Sequence, residues 1–596
     1  MKDNNNKMSS FTRGSQIFMH SLRMASQGIK TTSLLGGIVA LSWLIFRASG
    51  KIQLTDLYYW VMVGFAHIKL SIGEIFYDRQ AIIITSYDFI LQQHRTMPAL
   101  EFIQRIWQAP IGQRIMNFEL WLFNNSIFEA IAAFFLSLSS SSIFFIIRGR
   151  KNMQKTKIRG AEIVSPQILA KMLRKEKVAS DIHIADLPLV KNSERQHILV
   201  TGTTGSGKTN FLHELLPQIR ARGDRAVIID VNGTFVSSYY DEANDLLLNP
   251  YDSRSEHWLP WADCNYDYDY DTLASALVGS GSFSEPFWDE TAKQVIISAL
   301  KATKDHQSID ELQHIIKHTS SEEYSNFFAG SDAAAFTDKE AGKTMMSIRT
   351  HVANKIKPFV PLTNTSTPFS IRKHILEPKK DWLFISSIPT QREALKPLIA
   401  CWFEIILNAL MTRNPSETNA NLWIIIDELP SLDKINSLKT ALAESRKFGG
   451  CIVAGVQNIH QLIHLYGQSG ALNLLDQFNS RFIFRVSDQE IARITSRMLG
   501  EYEMRESQES LSYGANTIRD GVNINTIEKK NQLVLPSEIS TLRSLQCYVR
   551  LPGSWPITKL SMQYHNRNIL SKHFITSVSE ERLNSESKIA KEQSST

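Results

Sequence analysis

Hydrophobic and polar positions along the 596-residue chain fall into two regimes. Near its start, Thr31 to Phe46 (TTSLLGGIVALSWLIF) carries no charge, and a second uncharged run, AIAAFFLSLSSSSIFFII, extends from Ala130 to Ile147. With Ile29 included and the flanking Lys30 and Arg47 snorkelling, the first run reaches the minimum of about 17 residues that a hydrocarbon layer of about 30 Å requires. The four consecutive serines of the second run suit a spanning helix, because their hydroxyls can donate to the helix's own carbonyls and small residues let helices approach closely in lipid. From Gln196 onward, short apolar runs (HILV, AVIID, DWLFISSI, LWIIIDE, CIVAGVQ) read as buried strands, and KPLIACWFEIILNALM between two of them reads as a helix. This alternation predicts a parallel α/β core. From about Cys264 to Leu362 helical patterns such as WDETAKQVIISALKATK and SIDELQHIIKHT dominate, and an all-helical insertion into the α/β domain is expected there.

Charge placement gives the apolar runs a direction. Residues 1 to 30 carry five Lys/Arg against one acid, and Arg148, Arg150, Lys151, Lys155, Lys157 and Arg159 form a basic stretch without an acid. By the positive-inside rule both ends face the cytoplasm and the near-neutral segment between the runs lies across the membrane. A cleaved signal peptide or a buried core helix would leave similar runs, but neither explains a second span followed by a basic stop. The expected organisation is a basic cytoplasmic terminus (1–30), an anchor (31–147) with spans at about 30–47 and 130–147 around a periplasmic segment (48–129), and a basic linker (148–195). A motor domain (196–263 and 363–570), the helical insert (264–362) and a polar tail (571–596) follow. The expected location is a membrane, with the lipid bilayer as a partner.

Composition adds little. A net charge of +6 suits a polyanionic partner but is small for this length. The four cysteines, Cys264, Cys401, Cys451 and Cys547, have no metal-ligand or disulfide spacing and read as reduced core thiols.

The sharpest chemical signal is HILVTGTTGSGKTNFLHELL: an apolar strand, a glycine-rich turn and a helix, the context a phosphate-binding P-loop needs. In Gly202, Thr203, Thr204, Gly205, Ser206 and Gly207 the glycines let the backbone turn tightly, so that successive N–H groups and the helix start face the phosphates of ATP. Lys208 would neutralise the β and γ phosphates, and the Thr209 hydroxyl would ligate Mg²⁺. A second half-site must supply an acid at a strand end, and Asp230 and Asp427 compete. Only Asp427 has a neighbouring base, so Asp427 is assigned to Mg²⁺ and Glu428 to the attacking water, with Asp230 simply ending its strand. Gln457, at the far end of CIVAGVQ, is placed to sense the γ-phosphate. Arg446, in SRKFGG, would suit a helix end electrostatically, or serve as an arginine finger donated to a neighbouring subunit.

With GTTGSGKT, IIIDELP and SRKFGG in place behind a membrane anchor, the chain resembles the type IV coupling proteins, of the TraD type, over about residues 10 to 570. Less generic strings carry the resemblance further: SSYYD at 237–241, EPFW at 285–288, LFISS at 383–387, YGANTIRDG at 513–521 and LPGSWP at 551–556. The resemblance implies a RecA-like P-loop motor assembled as a homo-hexamer on the inner membrane. It also implies an ATPase that moves DNA and contacts both a relaxase–DNA complex and a type IV secretion channel in bacterial conjugation. Members of the family can carry an acidic tail that docks partners, whereas this chain stops after a short mixed-charge one. Two other functions share parts of the pattern: a double-stranded DNA motor of the FtsK type, for whose winged-helix end no signal is found, and a receptor that delivers protein to a secretion channel.

Overall fold

A computed structural model describes residues 2–73, 81–89, 91–152, 156–279, 286–338, 340, 342–414, 421–512 and 521–577. Most of YGANTIRDG, the first residue of EPFW and the tail from 578 lie outside them. The chain divides into two units, Met1–Thr156 with Arg505–Ile527, and Lys157–Met504 with Glu528–Thr596.

The first unit begins with a 48-residue helix, Lys2–Ser49, which packs on the helix Ile127–Asn152. Two stretches are long and apolar enough to cross a membrane, Ala25–Ser49 and Pro110–Arg148. Only 11% and 6% of their apolar windows are buried, unlike the buried core helix of a soluble domain. Gly36 faces Phe134 so closely that a Cβ there would lie 3.0 Å from the ring. Arg47 pairs with Glu129 through both carboxylate oxygens at 2.9 and 3.0 Å. Between these helices lie the helix Leu54–Gly73, a hairpin (Ile83–Asp88 with Gln93–Pro98) and the helix Ala99–Gln108. These enclose a small apolar core of their own, including Val63, Ala66, Ile84, Phe102 and Ile115.

The second unit is built on a ten-stranded sheet. Its strands are β1 (Ile163–Val164), β2 (Ile198–Thr201), β3 (Arg225–Asp230), β4 (Leu246–Leu248), β5 (Leu383–Ser386), β6 (Leu422–Ile426), β7 (Gly450–Val456), β8 (Ser480–Ile483), β9 (Gln546–Arg550) and β10 (Ile557–Ser561). They lie in the order β1-β10-β9-β8-β2-β7-β6-β3-β5-β4. The seven strands from β8 to β4 are all parallel, and β9 and β10 extend the sheet as antiparallel neighbours.

Period-two alternation divides the parallel strands between two cores. Ile198, Val200, Ile228, Trp423, Ile425 and Val453 face the helices Pro166–Lys175 and Lys208–Arg222; Leu199, Val227, Ile229, Ile424, Ile426 and Ile452 face Arg392–Leu410 and Ile459–Asp476. Helices on both faces of a mostly parallel sheet make this a doubly covered α/β fold of the RecA-like kind.

Between β4 and β5 the described residues hold helices and no strand. Those helices do not enclose a separate core: Leu273, Val295, Leu312, Ile348 and Phe359 belong to the same apolar cluster as Leu398 and Trp402. Trp402 meets Trp258 edge-on, with ring centroids 5.8 Å apart. All four cysteines are buried.

Candidate nucleotide site

The parallel register brings the functional strand ends to one edge. Val456 is aligned with Thr201, and Ile426 with Ile229, so with β7 between β2 and β6 the loops after these strands open side by side. Residues far apart in sequence thus converge, as expected for ligand sites at the carboxyl ends of strands in open α/β sheets.

The loop from Gly202 to Gly207 leads into the 15-residue helix Lys208–Arg222. Gly207 adopts φ +125°, and a Cβ there would stand 2.9 Å from the Phe484 ring, so both conformation and space require glycine. Thr203 N–H donates to the Arg485 carbonyl at 2.9 Å and Leu545 N–H to the Ser206 carbonyl at 2.8 Å, clamping the loop from outside. Lys208 is buried, with Nζ donating to the Gly202 carbonyl at 2.7 Å and to that of Thr203 at 3.3 Å. Burial holds its ammonium below the usual lysine value, while the charges of Glu428 and Asp427 act in the opposite direction. Thr209 follows on the exposed side of the helix.

Asp427 and Glu428 leave the end of β6. Burial raises the Asp427 carboxyl, opposed by Lys208 and by a hydrogen bond from Asn232. Glu428 accepts the Gln457 backbone N–H on Oε1 at 3.2 Å. Its Oε2 is buried and, among the described residues, has no partner. Burial pushes this carboxyl up to about 7. A carboxylate poised near neutrality, with one oxygen fixed and the other free, is arranged to accept a proton. The Gln457 side chain reaches the P-loop, accepting the Thr204 hydroxyl at 2.9 Å.

Asp230 has a different task. Its two oxygens accept the N–H groups of Asn232, Thr234, Phe235 and Val236 at 2.6–3.3 Å, which start the helix Thr234–Tyr239. A fully buried carboxylate so engaged is a helix cap.

Arg446 is not in this cluster. It is exposed in the 3₁₀ turn Ser445–Phe448, ahead of the first residue of β7, whereas Gln457 follows the last. The turn ends at Gly449 (φ +78°), and Gly450 already belongs to the strand. At that same end His197 bridges the sheet, its Nε2 to the Leu442 carbonyl at 2.9 Å and its Nδ1 accepting Ile452 N–H at 3.1 Å. Burial, assisted by the Arg446 charge, lowers this imidazole to about 4.

Four contributors have no local sequence motif: Asn232 on Asp427, Phe484 and Arg485 behind the loop, and Gly455. A Cβ at Gly455 would fall 1.9 Å from the Asp427 carbonyl oxygen, so the β6–β7 approach at the site depends on its absence. Among the described residues no group of three or more His, Cys, Asp or Glu could hold a metal. One acid and one hydroxyl instead suit Mg²⁺, which is usually held by one or two protein oxygens together with substrate phosphates.

Strand, glycine loop, buried lysine and paired acids at the end of the next strand but one define a P-loop nucleotide-binding protein of RecA-like fold. Comparison with known proteins narrows this. The family model for the type IV secretion-system coupling protein DNA-binding domain matches residues 181–563. The coupling protein TraD of Escherichia coli K12 is 34% identical over 470 residues, which cover 77% of this chain and 65% of TraD. VirD4 of Rhizobium radiobacter is 22% identical over 36% of this chain, so the match spans less than two thirds of either relative. Crystal forms of the bacterial conjugative coupling protein TrwB, including complexes with ADP and Mg²⁺ and with the ATP analogue ADPNP, are 30% identical. They cover 71% of this chain and 97–98% of their own, with TM-scores of 0.62–0.63. The chain belongs to the type IV secretion-system coupling proteins.

Proposed function

We propose that this chain is an ATP-hydrolysing motor that moves DNA, coupling a relaxase–DNA complex to a type IV secretion channel in bacterial conjugation. The reading is carried by one observation: the buried Oε2 of Glu428, without a hydrogen-bond partner among the described residues, beside Lys208 and Asp427, in a chain whose relatives are conjugative coupling proteins. In this reading the N–H groups of Thr204, Gly205 and Gly207 and the helix start bind the phosphates of ATP and Lys208 neutralises the β and γ groups, while the N–H groups of Gly202 and Thr203 tie the loop to the carbonyls of Val456 and Arg485. Thr209 and Asp427 hold Mg²⁺, with Asn232 keeping the Asp427 carboxylate turned toward the site. Mg²⁺, when bound, neutralises charge that develops on the phosphates. Glu428 orients and deprotonates water through Oε2, and Gln457, tied to both Glu428 and Thr204, links the base to the loop.

The proposed assembly is a homo-hexamer, with Arg446 entering the neighbour's site. The proposed anchor crosses the inner membrane twice, with both termini cytoplasmic. The two long apolar helices and the basic residues flanking them support it. Reporter fusions near residues 80 and 180 should report outside and inside, respectively.

The deciding experiment is ATPase activity of the detergent-purified protein with and without DNA, beside Lys208→Ala. Strong stimulation by DNA that vanishes in the variant is expected. Hydrolysis indifferent to DNA would favour a receptor for protein substrates instead.

A further inference from the structure

At the far end of β8 from the P-loop, a cavity of about 520 Å³ lies between the helices Ile459–Asp476 and Gln489–Leu499 and the β8–β9 ladder. Four guanidinium groups line it, from Arg481, Arg493, Arg497 and Arg550, against two carboxylates, Asp476 and Glu490. Arg481 and Arg550 are direct partners across the antiparallel β8–β9 pair, an arrangement of like charges that destabilises a sheet unless a counter-charge compensates it.

The protein supplies little compensation. Arg481 is only 7% exposed; it donates to the carbonyls of Phe478 at 2.9 Å and Leu475 at 3.3 Å. Among the described residues its one ion pair, to Asp476 at 3.2 Å, involves a carboxylate that is 72% exposed and therefore screened. Arg550 donates to the Met498 carbonyl. Glu490 lies 4.0 Å from His460, and the same ring is 3.6 Å from Asp488. Arg493 and Arg497 stand one turn apart on the same helix face, both exposed, and among the described residues neither has an ion-pair partner. The helix C-terminus favours a cation at Arg497. It does not account for Arg493, nor for Arg550 opposite Arg481. Burial and the Arg550 charge hold the Arg481 guanidinium below its usual value, the mark of a cation with too little negative charge around it.

We infer that this arginine pocket is a binding site for phosphoryl groups of a nucleic-acid strand, distinct from the P-loop. Planar guanidinium forks match phosphate oxygens bidentately, and phosphate contacts grip any sequence, as a translocase requires. Ile494 and Met498, which also line the cavity, provide an apolar wall on which a base or sugar can rest. The inference rests on the DNA-motor reading above and gives it a contact surface.

The test uses the full-length, detergent-purified protein and a fluorescent oligothymidylate, titrated across a series of salt concentrations. The variant Arg493→Ala/Arg497→Ala changes only exposed helix positions, and Arg493→Lys/Arg497→Lys keeps the charge. The alanine pair should weaken binding roughly tenfold at 0.1 M salt and reduce the slope of log K against log salt by about 1.4, from about 0.7 per lost phosphate contact on single strands. The lysine pair should retain most of the slope, and binding of a fluorescent ATP analogue to the P-loop should be unchanged in both. Wild-type protein that fails to bind DNA overturns the motor reading itself. Wild-type binding that the alanine pair leaves unaltered overturns the pocket alone. If the alanine pair instead loses a second nucleotide per chain in equilibrium dialysis while DNA affinity holds, the ligand is a free nucleotide and the strand assignment is overturned.

Discussion

Gln457 donates its backbone N–H to Oε1 of Glu428 across 3.2 Å, while the buried Oε2 has no hydrogen-bond partner among the described residues. The next strand thereby fixes this carboxyl, and burial raises its proton affinity by more than the Gln457 hydrogen bonds and the Lys208 charge lower it.

Glu428→Gln should therefore bind nucleotide normally and lose about 10²–10⁴ in kcat, the typical worth of a positioned general base. Because burial places the wild-type carboxyl at about 7, kcat/KM should fall as pH drops through neutrality, and this limb should be missing from the residual rate of the variant. Stability runs the other way. The folded value lies above the unfolded one of 4.5, so the native state binds the extra proton and nucleotide-free protein loses stability as pH rises from 4.5 to about 7. Thermal melts at pH 8 should show the glutamine variant more resistant than wild type, with the gap closing toward pH 5.

Asp230 and Asp427 stand at the ends of adjacent parallel strands, yet they should respond oppositely to removal. Asp230→Ala strands four N–H groups at a helix start, those of Phe235 and Val236 buried, and should cost about 2 kcal/mol or more, with the Mg²⁺ dependence of nucleotide binding retained. Asp427→Ala relieves a desolvated charge, so its melting temperature should hold or rise while Mg²⁺ no longer tightens nucleotide binding. Melting curves and Mg²⁺ titrations on the two variants check this pair of outcomes.

How far the site was legible in the sequence follows from where its information sits. The P-loop is one continuous strand–turn–helix string, so Lys208 and its glycines can be read locally. Asp427 could be preferred to Asp230 because Glu428 stands next to it, whereas the four N–H groups that Asp230 accepts depend on how the turn after it folds. Asn232, Phe484, Arg485 and Gly455 could not be read, since each acts through a strand order, β8-β2-β7-β6-β3, that no local pattern encodes. The helical character of the stretch between β4 and β5 was visible in its periodicity. Its sharing of one core with Trp402 was not, because apolar helix faces do not say what covers them.

Gly455→Ala tests the strand packing directly. The added methyl would meet a backbone carbonyl at 1.9 Å, which cannot swing aside as a flexible side chain could, so β6 and β7 must separate where Asp427 leaves the sheet. Overpacking of this kind typically costs about 1–3 kcal/mol, and here it also displaces the acid pair. Hydrolysis should fall more than stability. Gly470→Ala is the control: its Cβ would meet only the Tyr466 Cβ, at 3.3 Å, within a helix where alanine is favoured. That variant should hydrolyse like wild type and melt no lower.

Arg446 offers the most direct test of assembly. Gln457, after β7, touches the P-loop through Thr204, while Arg446 precedes the same strand. Seven residues of extended chain at about 3.3 Å each separate the two ends by roughly 20 Å, far beyond the reach of an arginine side chain. Arg446 cannot serve its own nucleotide, and if it acts in hydrolysis it must do so on a neighbour. Arg446→Ala should then abolish ATPase activity while nucleotide binding persists, and Lys208→Ala should abolish it by removing the proposed phosphate contact. Mixing the two inactive proteins is the decisive measurement. Wherever an intact Lys208 from one variant faces an intact Arg446 from the other, a complete site forms, so mixed assemblies should regain a fraction of wild-type turnover that peaks near equal proportions. If Arg446→Ala hydrolyses ATP at close to the wild-type rate, Arg446 is only the cation at the end of its turn.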